Sequence, residues 1–218
     1  MDIQTQQQLA AQLRKPEGEY GIEVARQMNH GNAIINRLTI AQLPLHDGNK
    51  VLELGMGNGF FIGELLQKAN NLQYTGADYS ALMVQEATEM NRQFVEAGIV
   101  SFHQASADKL PFDDNSFDAI FGINIIYFWH TPTAELSEIK RVLKPGGTLT
   151  LSIRPKSSMD SMPFTQFGFT KYDEQSIVAL LEENGYVIDN IFEQSDPPME
   201  FNGTTLLPAS LIVTAVKK

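Results

Sequence analysis

Residues 51–59, Val51-Leu52-Glu53-Leu54-Gly55-Met56-Gly57-Asn58-Gly59, restrict the fold more than any other stretch of the chain. A short apolar run ends on an acid, passes into a loop with glycine at every second position, and leads straight into Phe60-Phe61-Ile62-Gly63-Glu64-Leu65-Leu66. A residue without Cβ can turn at positive φ and let the backbone lie flat against a ligand. The pattern therefore reads as a strand, a ligand-gripping turn and a helix start. It is not the dinucleotide fingerprint, in which the third glycine falls three residues after the second. Here that slot is Phe60, and the spacing is G-x-G-x-G.

The rest of the chain continues an alternation of strand and helix. Gln73–Ser80 is a β-type run closing on Asp78, about 20 residues beyond the loop, where a strand-end carboxylate can hold ribose hydroxyls. The competing reading is that Asp78 merely caps a helix beginning near Ser80, a task Ser80 can do itself. Residues 104–120 include Leu110-Pro111-Phe112 and Ser116-Phe117-Asp118. A fourth strand, about Ala119–Ile123, then delivers Asn124, Ile125, Ile126, Tyr127, Phe128, Trp129 and His130 at its carboxyl end, the side on which open α/β sheets bind ligands. Thr131-Pro132 has the form of an N-cap followed by proline at the first helical position. The helix Thr133–Leu143 is expected to end at Lys144-Pro145-Gly146-Gly147, with a fifth strand at Thr148–Ile153. Asp173–Asn184 has helical spacing and stops at Gly185. Tyr186–Phe192 and Thr205–Val216 read as two final strands.

The acid-x-G-x-G-x-G loop, the LPF…D.SFD segment and LKPGG before the fifth strand, in this order, resemble the S-adenosylmethionine (SAM)-dependent methyltransferases with a Rossmann-like fold, in particular a type 11-like bacterial subgroup of class I. The resemblance extends from about Lys50 to the C-terminus. It implies a seven-stranded, mostly parallel sheet of order 3-2-1-4-5-7-6, its last two strands an antiparallel hairpin, with helices on both faces. It also implies SAM as cofactor. Gly55, Gly57 and Gly59 would shape the loop under its methionine end, Glu53 would orient that end through the amino group or a water, and Asp78 would take the ribose with Tyr79 packed on the adenine. Relatives usually carry an adenine-contacting Asp where this chain has Ser106. The Ser106 hydroxyl can still bond the exocyclic amine and the Ala107 N–H can donate to the ring, with Asp108 the rival two residues later. Asn124 completes the expected cofactor contacts.

The chain is expected to form one domain over 1–218, with an N-terminal helical cap at 1–46 and a SAM-binding core at 47–218. Residues 2–14 place Leu9 and Leu13 at helical spacing. A turn-forming break follows over Arg14–Gly21, then helical segments at Ile22–His30 and Ala33–Leu43. This leader resembles that of the same subgroup, and in related enzymes such helices fold over the cofactor. Tyr20, Met28, Asn29, His30 and Asn32 could then face the methyl or the substrate; simple packing on the sheet is the alternative. Pro155–Tyr172 replaces a short connection and carries Met159, Met162, Phe164, Phe167 and Phe169. Long insertions of this kind act as lids, and Met with aromatics suits an apolar pocket wall. Packing on the protein's own core is the rival.

Composition agrees. The chain has 218 residues, 43% hydrophobic, enough for one substantial core and short for two full domains. Strands alternating with helices argue for a parallel sheet covered on both faces. No apolar run reaches membrane-spanning length, and Met1-Asp2-Ile3-Gln4 lacks a signal-peptide pattern, so a cytoplasmic protein with no membrane partner is expected. Zero cysteines exclude disulfides, thiolate metal sites and Cys nucleophiles, and four scattered histidines make a metal site unexpected. A net charge of −10 opposes nucleic-acid binding. A monomer or homodimer is expected.

Methyl transfer from a sulfonium is an in-line displacement, so the demand on the enzyme is near-attack geometry and exclusion of water. A base is needed only if the acceptor must lose its proton early; Tyr20, His30, Tyr127 and His130 are the candidate catalytic residues. The expected function is methyl transfer from SAM to a small-molecule acceptor. Two alternatives stand beside it. One is a non-catalytic SAM-binding module. The other is aminopropyl transfer from decarboxylated SAM, for which the segment around Asn124 lacks paired carboxylates.

Overall fold

The computed structural model describes residues 1–201 and 203–218. Its strands are β1 (Lys50–Leu54), β2 (Gln73–Asp78), β3 (Val100–Gln104), β4 (Phe117–Ile123), β5 (Leu143–Ile153), β6 (Tyr186–Ser195), β7 (Met199–Phe201), β8 (Thr204–Leu206) and β9 (Ala209–Lys217). Seven of them form one sheet in the order β3-β2-β1-β4-β5-β9-β6. Pairing is parallel from β3 to β5 and antiparallel where β9 meets β5 and β6. This is the expected topology, with β9 in the role of the seventh strand. The expected strand Thr205–Val216 is corrected in one respect. Pro208 interrupts it, so Thr205 belongs to the separate β7–β8 hairpin and the sheet strand begins at Ala209.

The helices are α1 (Ile3–Arg14), α2 (Gly18–Gly31), α3 (Ala33–Gln42), α4 (Ile62–Leu65), α5 (Ala81–Met90), α6 (Arg92–Glu96), α7 (Pro132–Val142), α8 (Lys156–Asp160) and α9 (Glu174–Glu183). α2 starts four residues before the expected Ile22. Gly21 sits inside it because nothing larger fits: a Cβ there would lie 2.9 Å from the Pro16 carbonyl carbon and 3.2 Å from Leu82. Thr131 makes no side-chain cap, so α7 is opened by Pro132 alone, whose fixed φ suits the first turn. β5 begins at Leu143, earlier than the expected Thr148. Its pairing jumps from Phe117↔Leu143 to Ala119↔Thr148, so Lys144–Gly147 loops out of the ladder between them. α9 opens on a reciprocal capping box between Asp173 and Ser176, and Gly185 follows it at φ +75°.

Two apolar layers hold the sheet. One combines Leu52, Leu54, Ile120, Leu149 and Leu151 with Leu136 and Ile139 of α7 and Ile177 and Leu181 of α9. The other combines Val51, Tyr74 and Phe121 with Ile62, Leu65, Ile40 and Leu43. Strands buried on both faces read as continuous apolar runs, which is how β1 and β4 appear in the sequence. α3 belongs to this core. Ile35, Ile40 and Leu43 are buried, and the Thr39 hydroxyl donates to Ser152 Oγ of β5 at 2.7 Å. At roughly 1.5–3 kcal/mol per buried aliphatic side chain, α3 is a structural layer. α1 and α2, by contrast, lie over the carboxyl ends of the strands.

Candidate active site at the carboxyl ends of the strands

A cleft of ≈ 530 Å³ opens where β1, β2 and β4 end. The glycine loop forms its floor with Gly55, Gly57 and Gly59 at φ +68°, +58° and +70°. The three are small for different reasons. A Cβ on Gly55 would lie 2.4 Å from Ile125 Cγ2, and one on Gly59 2.7 Å from Asn91 Nδ2, so both permit close packing behind the loop. At Gly57 nothing among the described residues lies within 4 Å. That position leaves open space where the loop borders the cleft.

Two carboxyls stand at the strand ends. Asp78 Oδ2 accepts from the Gly57 N–H at 3.1 Å and Oδ1 from the Ser80 N–H at 2.8 Å. Burial pushes the Asp78 carboxyl up to about 6 against the pull of those two bonds. The cap of α5 is Ser80, whose Oγ accepts from the Met83 N–H at 3.3 Å and donates to the Pro16 carbonyl. Asp78 is thus not the cap and stays on the cleft wall. Glu53 Oε2 accepts from the Tyr74 hydroxyl at 2.6 Å. Burial, with the nearby Asp78 charge adding to it, raises Glu53 to about 7.

At the other end Asn124 holds φ +57°, rare for a residue with a side chain. Its N–H donates to Ser152 O at 2.8 Å. Its Oδ1 accepts from the Tyr127 hydroxyl at 2.9 Å, and its Nδ2 reaches Asn32 Oδ1 of the leader at 3.4 Å. The His130 ring contacts the Arg14 guanidinium, so α1 touches the loop after β4. Glu135 is buried on α7. Its Oε1 accepts from the His130 N–H at 3.2 Å, while Oε2 has no partner among the described residues.

Residues 52–151 match the family model described as "Methyltransferase domain". Over this stretch the chain is similar to the methyltransferases. It is 27% identical over 180 residues to the "Uncharacterized methyltransferase YdaC" of Bacillus subtilis, covering 82% of this chain and 94% of that one. It is 32% identical over 135 residues to the "Malonyl-[acyl-carrier protein] O-methyltransferase" of a Marinomonas strain, covering 62% of this chain and 48% of that one. The chain therefore spans about half the length of this second relative. The solved structure of a SAM-dependent methyltransferase from Aquifex aeolicus superposes with a TM-score of 0.71 at 22% identity, covering 89% of this chain and 97% of that one. That likeness speaks for the fold.

The cleft brings together Glu53, Gly55, Gly57, Asp78, Tyr79, Ser106, Ala107, Asp108, Asn124 and His130. Gly59 supports the loop from behind. Tyr79 is exposed, with Lys15 Nζ 5.1 Å from its ring centroid. Tyr20 and His30 lie outside the cleft. The inner face of α2 runs through Gly21, Val24, Ala25 and Met28, so helical periodicity turns Tyr20 and His30 to the solvent side, where His30 Nδ1 meets the Arg26 carbonyl. Tyr127 is buried beneath Asn124, and burial raises its hydroxyl well above the ordinary range, so it remains protonated.

The sequence reading missed Glu135 and the α1 residues Leu13 and Arg14, all on the cleft wall. Glu135 carried a signal: it shares the apolar stripe of α7 with Leu136, Ile139 and Val142, where a carboxylate is out of place. The Pro155–Tyr172 segment forms part of a second cavity of ≈ 280 Å³ through Met159, Met162, Phe164 and Phe169. Phe167 lies outside that wall. Among the described residues no helix is long and apolar enough to cross a membrane.

Proposed function

We propose that this chain is a methyltransferase that moves a methyl group from SAM to a small-molecule acceptor, with donor and acceptor in adjoining cavities. The observation that carries this reading is a shared wall: Leu13, Met28, Asn32, Asn124 and Phe128 border both the strand-end cleft and the second cavity. A macromolecular acceptor would need an open face at this place. Here α1 and α2 lie across it.

The strand-end residues suit SAM. The open space beside Gly57 admits a ligand against the backbone. Glu53 and Asp78 provide negative charge for a donor that carries an ammonium and a sulfonium, and each Asp78 oxygen retains accepting capacity for a ribose hydroxyl beyond its one N–H partner. Ser106, Ala107 and Tyr79 line the same cleft, and to a bound adenine they would offer a hydroxyl, an N–H and a ring.

When bound, SAM would supply an electrophilic methyl, its C–S electron pair leaving with sulfur as the acceptor's pair forms the new bond, and an acceptor X–H would lose its proton to water. The chain's own contribution is positional. Asn124 is fixed through Tyr127 and Ser152 at the junction of the two cavities, and Asn32 meets it from the leader. His130 is engaged by Arg14 and Tyr127 keeps its proton, so alignment and exclusion of water carry most of the rate. The test is incubation with methyl-labelled SAM and a cell extract split into low-mass, protein and nucleic-acid fractions. Label should enter the low-mass fraction. Label confined to protein or nucleic acid would overturn the reading.

A further inference from the structure

We infer that the second cavity takes an uncharged, largely apolar ring compound bearing one hydrogen-bonding oxygen, held with that oxygen toward Asn124. This rests on the small-molecule reading above and names the acceptor's chemical class.

The wall is soft and aromatic. Phe128, Phe169, Phe164 and Phe201 form a chain of contacts, with ring centroids 4.6 Å apart for Phe128–Phe169, 6.0 Å for Phe164–Phe169 and 5.6 Å for Phe164–Phe201. Met28, Met159, Met162 and Met199 fill between them. Tilted and edge-on faces with adaptable thioethers match flat rings better than branched or highly hydroxylated molecules. The β7–β8 hairpin supplies Met199, Phe201 and Leu206 to this wall. Among the described residues it pairs with no strand of the main sheet, and these three side chains border the cavity. An apolar cavity of about 150 Å³ is enough for one benzene ring. The present ≈ 280 Å³ leaves room for a larger or fused ring.

The wall also presents no uncompensated charge. Its one ionisable cation or carboxylate among the described lining residues is Arg154. That guanidinium is committed to the buried Asp196 carboxylate, to Ser210 Oγ at 3.0 Å and to the Ala209 carbonyl at 3.1 Å. A carboxylate or ammonium entering here would lose its hydration and find no free counter-charge. Of the polar side chains lining the cavity, Asn32 and Asn124 also border the strand-end cleft. The Asn124 amide has two N–H groups and one long bond, to Asn32, so one hydrogen is free for a ligand oxygen.

Calorimetry on the full chain saturated with S-adenosylhomocysteine tests this with three matched probes near neutral pH: naphthol, naphthoate and naphthylmethylammonium. Naphthol should bind at least about tenfold more tightly than either ion. Phe201→Ala and Met199→Ala should each weaken naphthol several-fold while S-adenosylhomocysteine affinity and melting temperature stay near those of the parent. An ion binding as tightly as naphthol would overturn the class. Unchanged naphthol affinity in both variants would overturn the location. In either case label transfer to low-mass acceptors still reports separately on the methyl-transfer reading.

Discussion

Asp78 Oδ2 accepts a hydrogen bond from the Gly57 N–H at 3.1 Å, so the acid at the end of β2 clamps the glycine loop at the end of β1. The same carboxylate takes the Ser80 N–H at 2.8 Å and thereby also fixes the entry to α5. One side chain shapes the floor of the cleft and faces into it.

Substituting Asp78 should therefore change stability and donor affinity together. Asp78→Ala leaves two N–H groups without their acceptor and should cost about 2 kcal/mol of stability, with at least about a tenfold loss of SAM affinity. Asp78→Asn keeps one acceptor oxygen; about 1 kcal/mol of stability should go while the affinity loss remains. Denaturant midpoints and calorimetric affinities on both variants check this. Normal SAM affinity in Asp78→Asn would reduce Asp78 to a loop clamp.

The pH dependences of folding and of binding should run in opposite directions. Glu53 is raised from 4.5 to about 7 and Asp78 from 3.8 to about 6 in the folded chain. The folded state then binds more protons than the unfolded state across this interval. The stability these groups contribute is complete below their ordinary values and is lost as pH climbs through about 6 and then 7. A cationic donor prefers both groups ionised, so its affinity should rise over the same range. Melting temperature and SAM affinity measured across pH about 5 to 8 should cross, and binding near pH 6 should release protons to the buffer. Affinity that falls as pH rises would detach the carboxyls from the donor.

Gly55 and Gly57 should separate packing from binding. Both sit at positive φ, so alanine at either strains the backbone by about 1–2 kcal/mol. Gly55→Ala also drives its Cβ to 2.4 Å from Ile125 Cγ2, which adds roughly 1–3 kcal/mol. Gly57→Ala meets no atom of the described residues and should lose only the strain while weakening SAM by about tenfold or more. Thermal melts with affinity on the pair decide it; equal stability losses would contradict the packing account.

Legibility followed locality. The glycine loop and the capping of α5 are readable because each depends on neighbours within a few residues, whereas the bond from Gly57 to Asp78 spans 21 positions. The β-sheet order came from motif order, since short connections leave few topologies. What escaped depends on distant pairing. The Thr39–Ser152 bond joins positions 113 residues apart and turns α3 from a cap into a core layer. The β7–β8 hairpin is three residues on a side, too short for a period-2 signal. Tyr20 and His30 lie in a motif-like leader that points to the site, whereas their helical phase places them outside the cleft.

Glu135 gives a prediction in the stabilising direction. Its Oε2 is buried without a partner among the described residues, and such a group costs about 1–3 kcal/mol. Glu135→Gln removes the charge, and its carbonyl oxygen can still accept from the His130 N–H. The variant should gain about 1 kcal/mol or more in chemical denaturation. A loss instead would mean that the carboxylate finds a partner in solution, and a simultaneous fall in turnover would identify that partner as a bound substrate.

The last prediction concerns α1. Removing residues 1–44 would strip Ile35, Thr39, Ile40 and Leu43 from the core, so that truncation should unfold the sheet. Removing 1–15 is a cleaner cut, because α1 buries only Ala10 and Pro16 remains to accept from Ser80. It deletes Leu13, which borders both cavities, and Arg14, which contacts His130. The shortened chain should melt within a few degrees of the parent, since roughly 1–2 kcal/mol of apolar contact is lost. S-adenosylhomocysteine affinity should fall several-fold, because the cleft loses part of its cover and the bound ligand regains access to water. Trp129, the single tryptophan, lines the cleft beside His130, so its emission should shift to the red on truncation. Undiminished affinity with unshifted emission would show that α1 packs on the surface without closing the site.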